Sequence, residues 1–121
     1  MTNATKQLKP LRFLWCEIKS PPFGREARIA VGKALQRIQA GDVLPMPISR
    51  PMPSIGRRCH ELRIADAEQS VTWRVIYRTD DDAILVAEVF GKTTQKTPKQ
   101  EIELCKKRFA TFDKIKKEAL K

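Results

Sequence analysis

The stretch CHELRIADAEQSVTWRVIY, from Cys59 to Tyr77, decides the fold. Two strand-like runs, about Cys59 to Ile64 and Val71 to Thr79, flank the turn-forming Ala67 to Ser70 and read as a hairpin. To bury Leu62 and Ile64 on one face with Trp73, Val75 and Tyr77, even positions of the first run must oppose odd positions of the second. That register sets Leu62 against Val75, Ile64 against Trp73, and Arg63 against Arg74. Both arginines then project from the other face, with Glu61 and Arg78 beside them. The polar groups of the hairpin therefore share a second, cationic face.

Outward from the hairpin, the acidic turn Asp80-Asp81-Asp82 leads into a third strand, about Ala83 to Phe90, which makes a three-stranded meander. A hairpin centred on Asp81 predicts Leu85, Ala87 and Val89 in the core set and Glu88 opposite Arg74, with Phe90 and Lys92 nearby. Upstream, Leu11 to Ile18 reads as a strand apolar on both sides. From Arg25 to Ala40, Ala27, Ala30, Val31, Ala34, Leu35 and Ile38 recur at helical spacing, and Gly41 suits the carboxy-terminal cap. Leu44 to Arg58 is a proline-punctuated loop that can be neither helix nor central strand. Its Arg50, Arg57 and Arg58 suit an anion-facing surface, and a structural wrap over one end of the sheet fits it equally. In the final segment Thr97 suits a helix N-cap, Pro98 the first helical position and Gln100 the third, a capping-box arrangement. Ile102, Cys105, Phe109 and Phe112 form its apolar face; its many lysines read as a solvated face or a nucleic-acid contact. The order is β, α, loop, β, β, β, α: an α+β chain in one domain, residues 1–121.

Size and charge bound the function. A chain of 121 residues holds one modest core. With 24 Lys and Arg against 14 Asp and Glu, its formal net charge is +10, which favours a polyanion as partner, most often nucleic acid. No apolar run approaches the roughly 20 residues that cross a bilayer, and the amino terminus lacks a signal-peptide core, so the expected place is the cytoplasm, with no membrane partner. Cys16, Cys59 and Cys105 are too scattered for a disulfide framework. Cys59 and His60, being adjacent in a strand, point to opposite faces, so no metal site is expected, and no cofactor.

Two arginines directly opposite each other in a sheet repel by up to about 1 kcal/mol unless an anion lies between them. Either Glu61 and Glu88 neutralise Arg63 and Arg74 in an ion-pair network, or the pair is a phosphate site, for which guanidiniums offer bidentate donors and fixed charge. His60 is likewise open. Parity places it on the core side beside Tyr77 as a structural histidine; a bulge or strand end would turn it outward as a proton carrier.

The segments SRPMPSIGRRCHELRI, WRVIYR and AILVAEVFGKTTQKTPKQEIELCKKR together resemble the phage-related HigB branch of the RelE/ParE toxin superfamily, the toxins of type II toxin–antitoxin pairs. The likeness runs from LKPLRFLW to the end of the last helix. It implies a RelE-like fold: a compact antiparallel sheet, two helices against one face, and a basic concave opposite face holding messenger RNA. It implies a ribosome-dependent, metal-independent endoribonuclease that cuts messenger RNA in the ribosomal A site. The implied partners are ribosomal RNA and a HigA-like helix-turn-helix antitoxin. Arg74 stands at the family's phosphate-stabilising arginine; Arg63 in ELR and Lys92 in FGK match other basic active-site positions, and Lys96 and Thr97 fall in its KTP signature. Arg74 and Arg63 are then transition-state stabilisers, with proton transfer left to Lys92 or His60. Arg50, Arg57, Arg58, Arg78, Lys96, Thr97 and Lys99 make up the expected RNA-binding set. The rival expectations are a basic nucleic-acid-binding phage regulator that does not cut, and a ParE-like gyrase inhibitor.

Overall fold

A computed structural model describes residues 7–92 and 96–120. Among them the chain forms five strands and two helices: β1 (Leu11–Phe13), α1 (Arg25–Gln39), β2 (Ser49–Pro51), β3 (Cys59–Asp66), β4 (Val71–Thr79), β5 (Ile84–Lys92) and α2 (Lys99–Ala119). The strands make one sheet in the order β1-β5-β4-β3-β2. The sheet is mixed, because β1 runs parallel to β5 while the other pairs are antiparallel. The antiparallel sheet expected from the resemblance is corrected on that point. β1 also stops at Phe13 rather than continuing to Ile18, since Trp15 takes a left-handed backbone (φ 60°) that no strand accommodates.

The β3–β4 register is the predicted one, with Leu62 opposite Val75, Ile64 opposite Trp73 and Arg63 opposite Arg74. Beyond it the prediction fails. Ile76 faces Glu88, yet Tyr77 faces Val86, so Ala87 is an extra residue in β5 at a bulge. The bulge exchanges the faces of everything before it in β5. Ile84 and Val86 join the core set, Leu85 and Ala87 turn to the opposite face, and Arg74 faces Phe90 instead of Glu88.

Both faces of the sheet are therefore apolar over part of their extent, and each carries a helix. On one, Ala27, Val31, Leu35 and Ile38 of α1 pack on Leu62, Ile64, Trp73, Val75, Tyr77, Ile84 and Val86. On the other, Cys105 and Phe109 of α2 pack on Cys59, Ile76, Leu85 and Ala87. The expected arrangement, helices on one face only with the basic face open, is thus overturned: α2 shares the arginine face. β2 lies inside the proline-rich loop, and it sits at the sheet edge, where Pro51 removes no required ladder bond. Gly41 ends α1 as predicted, at φ 100°, its amide bonded to Ile38 O while that of Asp42 reaches Arg37 O.

Two polar anchors fix the helices. Asp66 accepts bonds from Trp73 Nε1 (2.7 Å) and the Gly24 amide (2.8 Å), tying the start of α1 to the hairpin, while Phe23 stacks on Trp73 at 4.1 Å. Gly24 is required here, because a Cβ would lie 2.6 Å from Asp66 Oδ1. On the other face Arg78 lies over the Phe109 ring of α2 and forks onto both Asp80 (2.7 and 2.9 Å) and Asp113 (3.0 and 2.7 Å). Burial works against the Arg78 charge, but the hydrogen bonds to Asp113 and Asp80 outweigh it and hold its pKa above the ordinary value.

The Trp73 indole N–H, with the Gly24 and Gln69 amides, holds the Asp66 carboxyl below its usual range against the opposing effect of burial. A carboxyl depressed in the folded state stabilises it above the unfolded pKa, about 3.9, and that contribution is lost as pH falls through the folded value. In urea unfolding, the stability gap between the natural protein and Asp66→Asn should be wide at neutral pH and shrink below about pH 4. A gap that does not vary with pH contradicts this anchor.

Candidate functional site

On the arginine face, where the segment leading into α2 arrives, one carboxylate gathers three guanidiniums. Glu61 Oε1 accepts from Arg50 Nε (3.1 Å), Arg63 Nε (3.1 Å) and Arg74 Nη1 (3.2 Å). Its other oxygen, Oε2, accepts from the Thr97 hydroxyl, which in turn accepts from Arg50 Nη2 at 3.2 Å. Strand parity explains the convergence. Glu61 and Arg63 are two apart in β3 and share a face, and Arg74 stands directly opposite Arg63 in β4. Arg50 comes from β2, paired to β3 with Arg50 opposite Glu61. Thr97 arrives from the segment that leads into α2.

Exposure is graded across the cluster. The side chain of Glu61 is 0% exposed and that of Arg74 2%, whereas Arg63 keeps 19% and Arg50 30%. Arg74 is thus the inner wall, and Arg63 and Arg50 carry the cluster toward solvent. Burial lowers the Arg74 pKa from its ordinary value, Glu61 opposes that, and the charges of Arg63 and Arg50 add to it. Three guanidiniums against one carboxylate leave this quartet with two excess positive charges.

Thr97 does not cap α2. Pro98 holds the N-cap position and has no side-chain acceptor for a cap bond, while the Thr97 hydroxyl is committed to Glu61. The capping-box prediction is corrected on that ground. The ion-pair network weighed from the sequence is present through Glu61 but not through Glu88, which the bulge places opposite Ile76 and which pairs with Arg108 at 3.4 Å.

The other predicted residues separate into groups. Lys92 ends β5 on the same parity as Phe90, whose Cα faces that of Arg74, and Lys96 and Lys99 are exposed on either side of Thr97. Arg57, Arg58 and Arg78 gather elsewhere, about the middle of α2 with Phe109 and Asp113. Arg78 lies four residues along β4 from Arg74, a separation of roughly 13 Å, and its forks are occupied by carboxylates. His60 follows its parity: it stacks on Tyr77 at 5.2 Å, and its Nδ1–H donates to Arg58 O at 3.1 Å. It stands on the α1 face of the sheet, away from Arg63 and Arg74, and the bulge that would have turned it outward lies in β5.

A carboxyl pair was not anticipated. Glu101, in the first turn of α2, lies beside Glu88, and burial, then the nearby Glu88 carboxyl, raise its pKa, while Arg108 and Lys92 oppose the rise. Its signal in the sequence was slight, since it depends on α2 packing on the face that carries Glu88. The three cysteines are free, and burial pushes the Cys16 and Cys59 thiols up to about 11. Among the described residues no group of three or more His, Cys, Asp or Glu is placed to hold a metal ion, and no helix is long and apolar enough to cross a membrane.

The family model for phage derived protein Gp49-like (DUF891) matches residues 22–110. The chain belongs to this family. It is a toxin-like family of the toxin–antitoxin kind, derived from phage. The matched span contains all five residues of the cluster, Arg50, Glu61, Arg63, Arg74 and Thr97. No curated protein matches the chain significantly.

If the Thr97 hydroxyl serves Glu61 rather than the helix, Thr97→Ser should be near neutral and Thr97→Val should cost about 1–2 kcal/mol. Combined with Glu61→Gln in a double-mutant cycle, the valine variant should show a coupling of at least about 0.5 kcal/mol. Strict additivity in urea unfolding would mean that the two side chains do not share an interaction.

Proposed function

We propose that this chain is the toxin of a type II toxin–antitoxin pair, a HigB-like member of the RelE/ParE superfamily with a RelE-like fold. In this reading it is a ribosome-dependent, metal-independent endoribonuclease that cleaves messenger RNA in the ribosomal A site. The observation that carries the reading is the convergence of Arg50, Arg63 and Arg74 on one carboxylate, with an excess of positive charge that a phosphodiester would partly offset. The net charge of +10 and membership in a toxin-like family support it.

Metal-independent cleavage needs a base to activate the 2′-hydroxyl, an acid for the leaving 5′-oxygen, and fixed cations for the charge that builds on the phosphorus. Guanidinium suits the last task, because it stays charged and holds its donors in a plane. Arg63 and Arg50 would meet the phosphate, and Arg74 behind them would add its charge through a short, dry path. Lys92 is the proton carrier this arrangement favours, because it shares the face of Arg74 while His60 stands on the other. The ribosome would supply orientation, worth several kcal/mol, that free RNA lacks. The expected partners are the ribosome, messenger RNA and a HigA-like helix-turn-helix antitoxin, encoded next to the toxin and able to bind it. The site of action in this reading is the cytoplasm.

One observation favours a second reading. Arg74 is nearly sealed from solvent, as expected of an arginine that only supports the surface of a basic binding module that does not cut. Primer extension on transcripts after brief induction separates the two. The nuclease reading predicts codon-linked cuts that disappear with Arg74→Ala in a folded variant and that leave 2′,3′-cyclic phosphate and 5′-hydroxyl ends. The binding module predicts no cuts in either protein. Products bearing 5′-phosphate would overturn the mechanism.

A further inference from the structure

Glu61 occupies the place that an anion takes in an arginine site. Its two oxygens receive donors from Arg50, Arg63, Arg74 and Thr97, the four-donor environment that guanidinium forks otherwise give a phosphate. A carboxylate so deep is not a screening charge for the surface. It is the internal counter-ion of a basic pocket.

We propose that Glu61 is a built-in stand-in for phosphate: it holds the three guanidiniums at anion-binding spacing in the free protein, and it competes with an incoming nucleic-acid phosphate for Arg50 and Arg63. The proposal rests on the reading of this cluster as a phosphate site, and not on whether the bound strand is cut. Three features carry it. The quartet has three cations and one anion, so a second anion enters without leaving the pocket negative. The two outer arginines are partly exposed, whereas Glu61 is not, so a phosphate reaches the guanidiniums before it meets the carboxylate. Thr97 holds Oε2 from the side of α2, so the carboxylate keeps its position when the outer arginines shift toward a ligand. Glu61 is a positioning residue in this account; it touches the guanidiniums and not the substrate.

Glu61→Gln keeps the shape and an acceptor oxygen and removes the competing charge. Its control is Glu103→Gln, which changes the net charge equally at an exposed position on α2. The probe is a short oligonucleotide without 2′-hydroxyls, which cannot be cleaved by this chemistry, titrated by fluorescence anisotropy at several salt concentrations. Glu61→Gln should bind it at least about tenfold more tightly than the natural protein, with a salt dependence steeper by up to about one unit of log–log slope, and Glu103→Gln should change it by less than about twofold. Equal effects from the two variants, or weaker binding by Glu61→Gln, would overturn the proposal. If Glu61→Gln does not fold by itself, added inorganic phosphate should restore its folding where sodium chloride of the same ionic strength does not; no difference between the two salts would be equally contrary. Cleavage by the natural protein on ribosomes is a separate readout. Tightening without any cleavage leaves this proposal standing and removes the nuclease reading, while cleavage without tightening does the reverse.

Discussion

Three guanidiniums can lie within hydrogen-bonding distance of one another's partner oxygen only because a carboxylate stands between them. Two facing arginines alone repel, and a desolvated Arg74 alone would carry a penalty of several kcal/mol. Glu61 offsets both with bonds of 3.1–3.2 Å to all three arginines. The same side chain fixes parts of the chain that are distant in sequence: β2 at the sheet edge through Arg50, the register of β3 on β4 through Arg63 and Arg74, and the approach to α2 through Thr97. Removing one member of such a network leaves the others as buried, poorly compensated charge, which is why the cluster behaves as a unit.

The arginine face is divided by charge balance. Near the middle of α2, Arg78 meets two carboxylates, Asp80 and Asp113, and its cation serves to dock the helix. At the other end, three arginines share one carboxylate. Around Arg78 the guanidinium donors are taken up by two carboxylates, whereas in the Glu61 quartet three guanidiniums share one. That difference, and not the number of arginines, separates the scaffold from the candidate site. α2 lays its apolar residues on Ile76, Leu85 and Ala87 of the same face, with Phe90, opposite Arg74, packed beside them.

Much of this was legible in the sequence, and the rest was hidden for physical reasons. The pairing of Arg63 with Arg74 follows from burying Leu62 and Ile64 with Trp73 and Val75, because a strand has a period of two and one register satisfies it. The helix over residues 25–39 and its Gly41 terminus follow from spacing and from a backbone conformation that glycine tolerates. The bulge at Ala87 left no such trace: β5 is apolar on both faces, so its alternation cannot report which residue is extra. Once it is present, α2 gains an apolar seat on the second face, and the one-sided arrangement of helices is lost. Thr97 was misread for a related reason. Its local sequence suits a helix cap, and only tertiary structure brings Glu61 within reach of its hydroxyl. Arg50 lay in a loop that sequence could describe only as proline-rich and basic, while three of its residues form an edge strand aimed at Glu61.

The central claim is that Glu61 binds the arginines as one unit, and the most direct measurement is the nuclear magnetic resonance of arginine side-chain Nε–H groups in solution. The account predicts that the Nε–H protons of Arg50 and Arg63 are protected from exchange with water, and that both signals move when Glu61 becomes glutamine while that of Arg78, held by Asp80, stays in place. Rapid exchange of Arg50 and Arg63, or an unchanged pair of signals in that variant, would contradict it.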